Sequence, residues 1–186
     1  MSVVTITHRG EERARSGHPW IYKSDIAKAD ASGGDTVRVL GTRGRIVGQA
    51  LYSDRSEISL RLLTRGDVTV DRALWRSRVA QAIRFRESLH IDATAYRLVH
   101  GEADLLPSLI VDRYGDYLVM QALSQGVDRL LPDFAQLFIE LLQPAGILAR
   151  NDPRVRLLEG LEQRVDVLHG TVPDHIEIRE GTVSYL

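Results

Sequence analysis

The sequence runs to 186 residues, 44% hydrophobic and 26% charged, the ordinary balance of a soluble globular chain. No apolar run approaches the roughly 20 residues of a membrane helix. The opening MSVVTITHRGEERARSGHPW has no signal-peptide core, so a cytoplasmic protein is expected. There is no cysteine, which excludes disulfides, thiolate metal sites and any thiol nucleophile. The net charge of −1 conceals a division: residues 1–100 carry 17 Arg and Lys against 11 Asp and Glu, and residues 101–186 carry 7 against 14. A basic first half attracts a polyanion such as RNA, although solvated surface charge leaves the same signature.

Residues 1–67 read as mostly β. Thr36–Leu40 leads into the turn Gly41-Thr42-Arg43-Gly44, and Arg45–Tyr52 resumes the strand pattern. Glu57–Leu63 alternates with period two, which places Ile58, Leu60 and Leu62 on one face. Short strands with tight turns suggest a small barrel. A helix follows, with Asp71 as N-cap and Trp75, Val79, Ala82 and Ile83 at helical spacing. Arg72, Arg76, Arg78, Arg84 and Arg86 cover much of its remaining surface, as an RNA-facing or merely solvated face. Ala95–Val99 reads as a strand, and Leu109–Tyr114 and Tyr117–Ala122 form a hairpin around Gly115-Asp116. Residues 128–142 read as an amphipathic helix with Pro132 in its first turn. Gly146–Arg150, Arg164–Leu168, His175–Arg179 and Thr182–Leu186 read as further strands. The chain stops inside the last of these at Leu186, as expected of a sequence cut from a longer one, although a natural terminus can end in the same way.

GHPWIYKSDI at 17–26 and QALYSDRSEISLRLLT at 49–64 resemble the N-terminal PUA domain of class I S-adenosylmethionine (SAM)-dependent RNA methyltransferases. RLVHGEADLLPSLIVDRYGDYLVMQ at 97–121 resembles the central domain of the same family. RNDPRVRLLEGLE at 150–162 and LHGTVPDHIEIRE at 168–180 match it in order and spacing. The departure is at 105–108. The family reads D-G-L-P-G, whereas Asp104 is followed here by Leu105-Leu106-Pro107-Ser108, which puts the tightness of the loop in question.

The resemblance implies an α+β fold: a small PUA-like β-barrel at 1–67, then a central mixed α/β domain at 68–186. It implies ribosomal RNA as partner, leaves a homodimer open, and points to methylation at carbon 5 of cytosine. That chemistry needs a cysteine thiolate, and SAM needs a glycine-rich strand–loop–helix unit. Neither is in this sequence, so no catalytic residue is expected within it and SAM is expected to be held by a further, Rossmann-like domain.

His18, Trp20, Tyr22 and Lys23 form a basic-aromatic cluster suited to unpaired bases, with Trp20 better suited to packing in the barrel and His18 and Lys23 to the surface. Arg61 joins them as an RNA-binding candidate. His100, Glu102 and Asp104 match no standard zinc spacing, so no metal is expected; the acidic pair is suited to capping turns and orienting Arg97 or Arg113. The resemblance implies instead that His100, Glu102 and Asp104, with Asp112, Arg113, Tyr114, Arg150 and Asn151, line a cleft that positions the target base. Two other readings stay open: a stand-alone RNA-binding protein without enzymatic activity, and a carboxylate-based hydrolase built on His100, Glu102 and Asp104.

Overall fold

The computed structural model describes residues 2–186. The fold is α+β. The first unit contains β1 (Val3–Ile6), α1 (His8–Arg15), β2 (Trp20–Tyr22), β3 (Ile26–Asp30), β4 (Thr36–Leu40), β5 (Ile46–Tyr52) and β6 (Ile58–Arg65). These strands form one sheet in the order β2-β6-β5-β4-β1-β3, curled as a half-barrel. Val4 and Ile6 alternate inward from β1 and meet Ile21, Val37, Val39, Ala50 and Leu60 in a core closed by Ala14 of α1. Gly48 permits the tight crossing of β5 and β6, since a Cβ there would lie 2.0 Å from the Thr64 carbonyl oxygen.

The second unit begins with α2 (Arg72–Ser88), capped by Asp71, whose carboxylate accepts the Leu74 N–H at 2.8 Å. Strands β7 (Ala95–His100), β8 (Leu109–Tyr114) and β9 (Tyr117–Ala122) follow, then α3 (Gln125–Leu142), β10 (Gly146–Asn151) and β11 (Arg164–Gly170). Their sheet order is β11-β10-β9-β8-β7, antiparallel except for the β9–β10 pair. That parallel pair is the one crossover, and α3 makes it. A small hairpin of β12 (Ile178–Glu180) and β13 (Val183–Tyr185) closes the chain. Helices α2 and α3 cover one sheet face, where Trp75 meets Phe134 edge-on at 5.2 Å between ring centroids.

The two units share a core. Leu51 and Leu63, on the side of β5 and β6 opposite Ala50 and Leu60, belong to the cluster built around α2 and α3. Both faces of β6 are therefore covered. Arg61, on the second face, is 8% exposed, and its guanidinium pairs with Glu159 at 2.9 Å. The other oxygen of Glu159 accepts the Gln125 N–H at the start of α3. Gln125 and Arg129 of α3 reach back to Asp54 and Asp35 of the first unit, at 2.9 and 2.6 Å. Gly126 lets α3 approach β5, because a Cβ there would press on Leu51 at 2.9 Å.

Four expectations change. Residues 8–15 are helical, although they carry no apolar stripe; Thr7 caps them and only Ala14 contributes an apolar side chain to the core. Helix α3 starts three residues before the predicted 128, which puts Pro132 inside it rather than in its first turn. Residues 175–177 are irregular, and the strand near them spans only Ile178–Glu180. Arg78 is not on a free basic face: it is buried and donates to the carbonyls of Leu63 and Leu105.

Removing one partner of the Arg61–Glu159 pair strands a buried charge. Glu159→Ala is expected to cost about 3 kcal/mol in urea unfolding, whereas replacing both residues together by leucine restores most of that loss.

Candidate nucleic-acid interface

The α1–β2 region is organised by a fully buried carboxylate. Asp25 accepts from Arg9 Nε at 2.5 Å and Arg13 Nε at 3.0 Å, which fixes α1 against the 23–25 turn. Arg13 then lies 4.7 Å above the Tyr22 ring, leaving a cation and an aromatic face together at the surface. His18 sits 5.8 Å from Trp20 and 6.2 Å from Tyr22, and its Nδ1 accepts the Trp20 N–H at 3.1 Å. Lys23 is exposed. Trp20 is half-buried, and its indole N–H donates to Glu102 of the second unit at 3.0 Å. The structure thus brings His18, Tyr22 and Lys23 together at the surface. It does not bring Arg61 to them, because Arg61 is committed beneath the sheet to Glu159.

The 101–108 turn is held from several sides. Asp104 receives both terminal nitrogens of Arg86 and the His100 N–H. It orients neither Arg97 nor Arg113. Arg97 is instead gripped by both oxygens of Asp112, at 2.9 and 3.1 Å, and Arg113 Nε donates to the Gly115 carbonyl at 2.7 Å. Where the resembled family has glycines, Leu105 and Ser108 keep φ at +58° and +64°. The turn stays tight without glycine, and the left-handed backbone costs roughly 1 kcal/mol per residue.

Cross-strand register sorts the remaining candidates. Arg97 lies opposite Asp112 and Tyr96 opposite Arg113. Asp112, Tyr114 and Arg150 line a cleft on the sheet face away from α2 and α3, together with Val119, Gln121 and Leu148. A second cleft of about 400 Å³ is lined by Tyr96, Arg97, His100, Asp112, Arg113 and Tyr114. Asn151 is fully buried and lines neither: its side-chain oxygen accepts the Ala122 N–H at 2.8 Å and holds β10 to the end of β9. Among the described residues no group of three or more His, Asp or Glu side chains is placed to hold a metal ion, and no helix is long and apolar enough to cross a membrane.

Sequence reasoning missed a basic cavity of about 440 Å³ where Arg15, Arg45 and Arg65 converge on the C-terminal end of α1. The three arginines come from α1, the turn before β5 and the end of β6, so no local pattern announces them. Glu11 organises this corner. Its carboxylate accepts the Thr42 N–H at 2.5 Å and the Thr42 hydroxyl at 2.9 Å, and pairs with Arg15 at 2.8 Å. The Thr42 backbone N–H, then its hydroxyl, hold the Glu11 carboxyl below the usual carboxylate range. Asp112 acts on Arg97 in the complementary sense, raising its pKa and securing its charge.

The start of α3 is occupied: Glu159 takes the Gln125 N–H, and Gly126 is packed on Leu51.

Residues 4–65 match the family model of the PUA-like domain. The chain is 34% identical over 170 residues to ribosomal RNA large subunit methyltransferase I of Vibrio cholerae serotype O1, covering 89% of this chain and 43% of the relative. It is 34% identical over 192 residues to the protein of that name from Pseudoalteromonas atlantica, covering 100% of this chain and 49% of the relative. The chain thus spans under half the length of these relatives. In fold it is similar to a Streptococcus mutans structure assigned as a SAM-dependent methyltransferase, with TM-score 0.82 at 17% identity over the whole chain and 48% of that one. A second structure, assigned as a methyltransferase and complexed with SAH, gives 0.83 at 17% identity, covering 100% of this chain and 47% of that one.

The Glu11 geometry fixes a pH signature. Its pKa is lower in the folded than in the unfolded chain, so its stabilisation is complete above the ordinary value of 4.5 and fades as pH falls through the folded value. Thermal melting of wild type and Glu11→Gln is expected to show the largest difference at neutral pH and a shrinking one in acid.

Proposed function

We propose that this chain is the RNA-recognition and substrate-positioning part of a SAM-dependent ribosomal-RNA methyltransferase acting in the cytoplasm. The similarity to the large-subunit enzymes carries the reading, and the cationic and aromatic surface supports it. In this reading residues 1–67 grip the RNA. Arg15, Arg45 and Arg65 meet phosphates, while His18 and Tyr22 offer ring faces to unstacked bases and Lys23 adds charge. Residues 68–186 position the target nucleotide, with His100, Asp112, Arg113, Tyr114 and Arg150 facing it. Glu102 and Asp104 shape the turn rather than touch RNA.

The target is carbon 5 of a cytosine. The thiolate that would attack carbon 6 lies outside residues 1–186, because these residues contain no cysteine, and in this reading the SAM site lies with it. Residues 1–186 therefore recognise and orient RNA without transferring the methyl group.

Filter binding with a ribosomal-RNA fragment tests this. Affinity is expected to fall steeply with salt, at about 0.7 log units per log unit for each phosphate contacted. Lys23→Glu combined with Arg45→Glu is expected to weaken binding at least tenfold at unchanged melting temperature, and Glu162→Lys to leave it nearly intact. Salt-insensitive binding, or equal loss in all variants, contradicts the reading.

A further inference from the structure

Two aromatic-cationic stations face solvent, one on each unit. The first joins Arg13, His18, Tyr22 and Lys23. The second is the cleft of about 400 Å³ with Tyr96, Arg97, His100, Arg113 and Tyr114 on its walls. Its carboxylate, Asp112, pairs with Arg97 and the two charges cancel, so Arg113 gives the cleft its net positive charge beside the rings. Each station has the composition that holds an unstacked base beside a phosphate.

The stations are joined at one point. Trp20, between His18 and Tyr22, donates its indole N–H to Glu102, two residues beyond His100 and 82 residues from Trp20 in sequence. Neither end of this bond is loose. The Trp20 backbone N–H donates to His18 Nδ1, and the turn carrying Glu102 is clamped by Asp104 to Arg86 and to the His100 N–H. Leu105 and Ser108 stay in left-handed conformations in that turn, so the surroundings hold it in a strained shape.

We infer that one RNA strand occupies both stations at once, and that Trp20 and Glu102 are a positioning pair that sets the spacing between them. This rests on the RNA reading above. Its physical content is effective concentration: once one station is filled, a strand long enough to reach the other binds it intramolecularly, and the gain depends on a fixed separation. Glu102 does this by accepting a hydrogen bond, which its amide counterpart also does through its carbonyl oxygen.

The experiment is fluorescence anisotropy with single-stranded RNAs of about 4 and about 16 nucleotides, reading the ratio of their affinities. Wild type is expected to bind the longer RNA at least tenfold more tightly. Glu102→Ala and Trp20→Phe each remove the hydrogen bond and are expected to cut that ratio roughly fivefold. Glu102→Gln keeps the acceptor and is expected to retain it. Thermal melting confirms folding, since Arg61–Glu159 and Gln125–Asp54 tie the units together independently. If Glu102→Ala does not fold, Trp20→Phe carries the test. RNA binding without a length gain in wild type, a gain untouched by both removals, or loss of the gain in Glu102→Gln as well as Glu102→Ala overturns this inference and leaves the RNA reading standing. Failure of every RNA to bind overturns both.

Discussion

The buried pair between Arg61 and Glu159 is the constraint on which the architecture rests. A half-barrel sheet has a second face, and here that face is covered by another unit rather than by water. Covering it requires a partner for the arginine in the middle of β6, and Glu159 supplies one from the turn before β11. The same carboxylate closes the start of α3, which in turn sends Gln125 and Arg129 back to the first unit. Arg156, in the same turn and fully buried, donates to the Ala122 and Glu162 carbonyls and pairs with Asp128. One short turn therefore fastens the end of the central strand β9, a helix start and the neighbouring unit.

Under the proposed function that rigidity has a consequence. A surface that reads RNA gains from holding its contacts at fixed separation, because the ordering cost is met on folding rather than on binding. The 101–108 turn belongs to this logic. It keeps a glycine-type backbone with leucine and serine in place, and the ion pair of Asp104 with Arg86 holds it there. Strain in a turn beside a cleft is tolerable only when several interactions fix the same shape.

Much of the fold was legible, for identifiable reasons. The β8–β9 hairpin follows from two apolar runs around Gly115-Asp116, and α2 from Asp71 followed by apolar residues at helical spacing. Helix α1 was not legible, because a capped eight-residue helix that contributes one apolar side chain has no period to detect. The site was legible only in part. His18, Tyr22 and Lys23 lie within six residues of one another, so a motif can show them. The convergence of Arg15, Arg45 and Arg65 is made by sheet curvature, and the burial of Arg61 by a unit almost one hundred residues away. Alternation along β6 marks Leu60 and Leu62 as inward but says nothing of what covers the opposite face.

Under the proposed function, residues of both units contact one RNA. Ultraviolet crosslinking of the protein to a ribosomal-RNA fragment, with the adducts mapped by mass spectrometry, tests this most directly. Adducts are expected in two segments, 13–23 and 96–114, on the same complex. Adducts confined to the acidic stretch 152–180, or to one of the two segments alone, would contradict it.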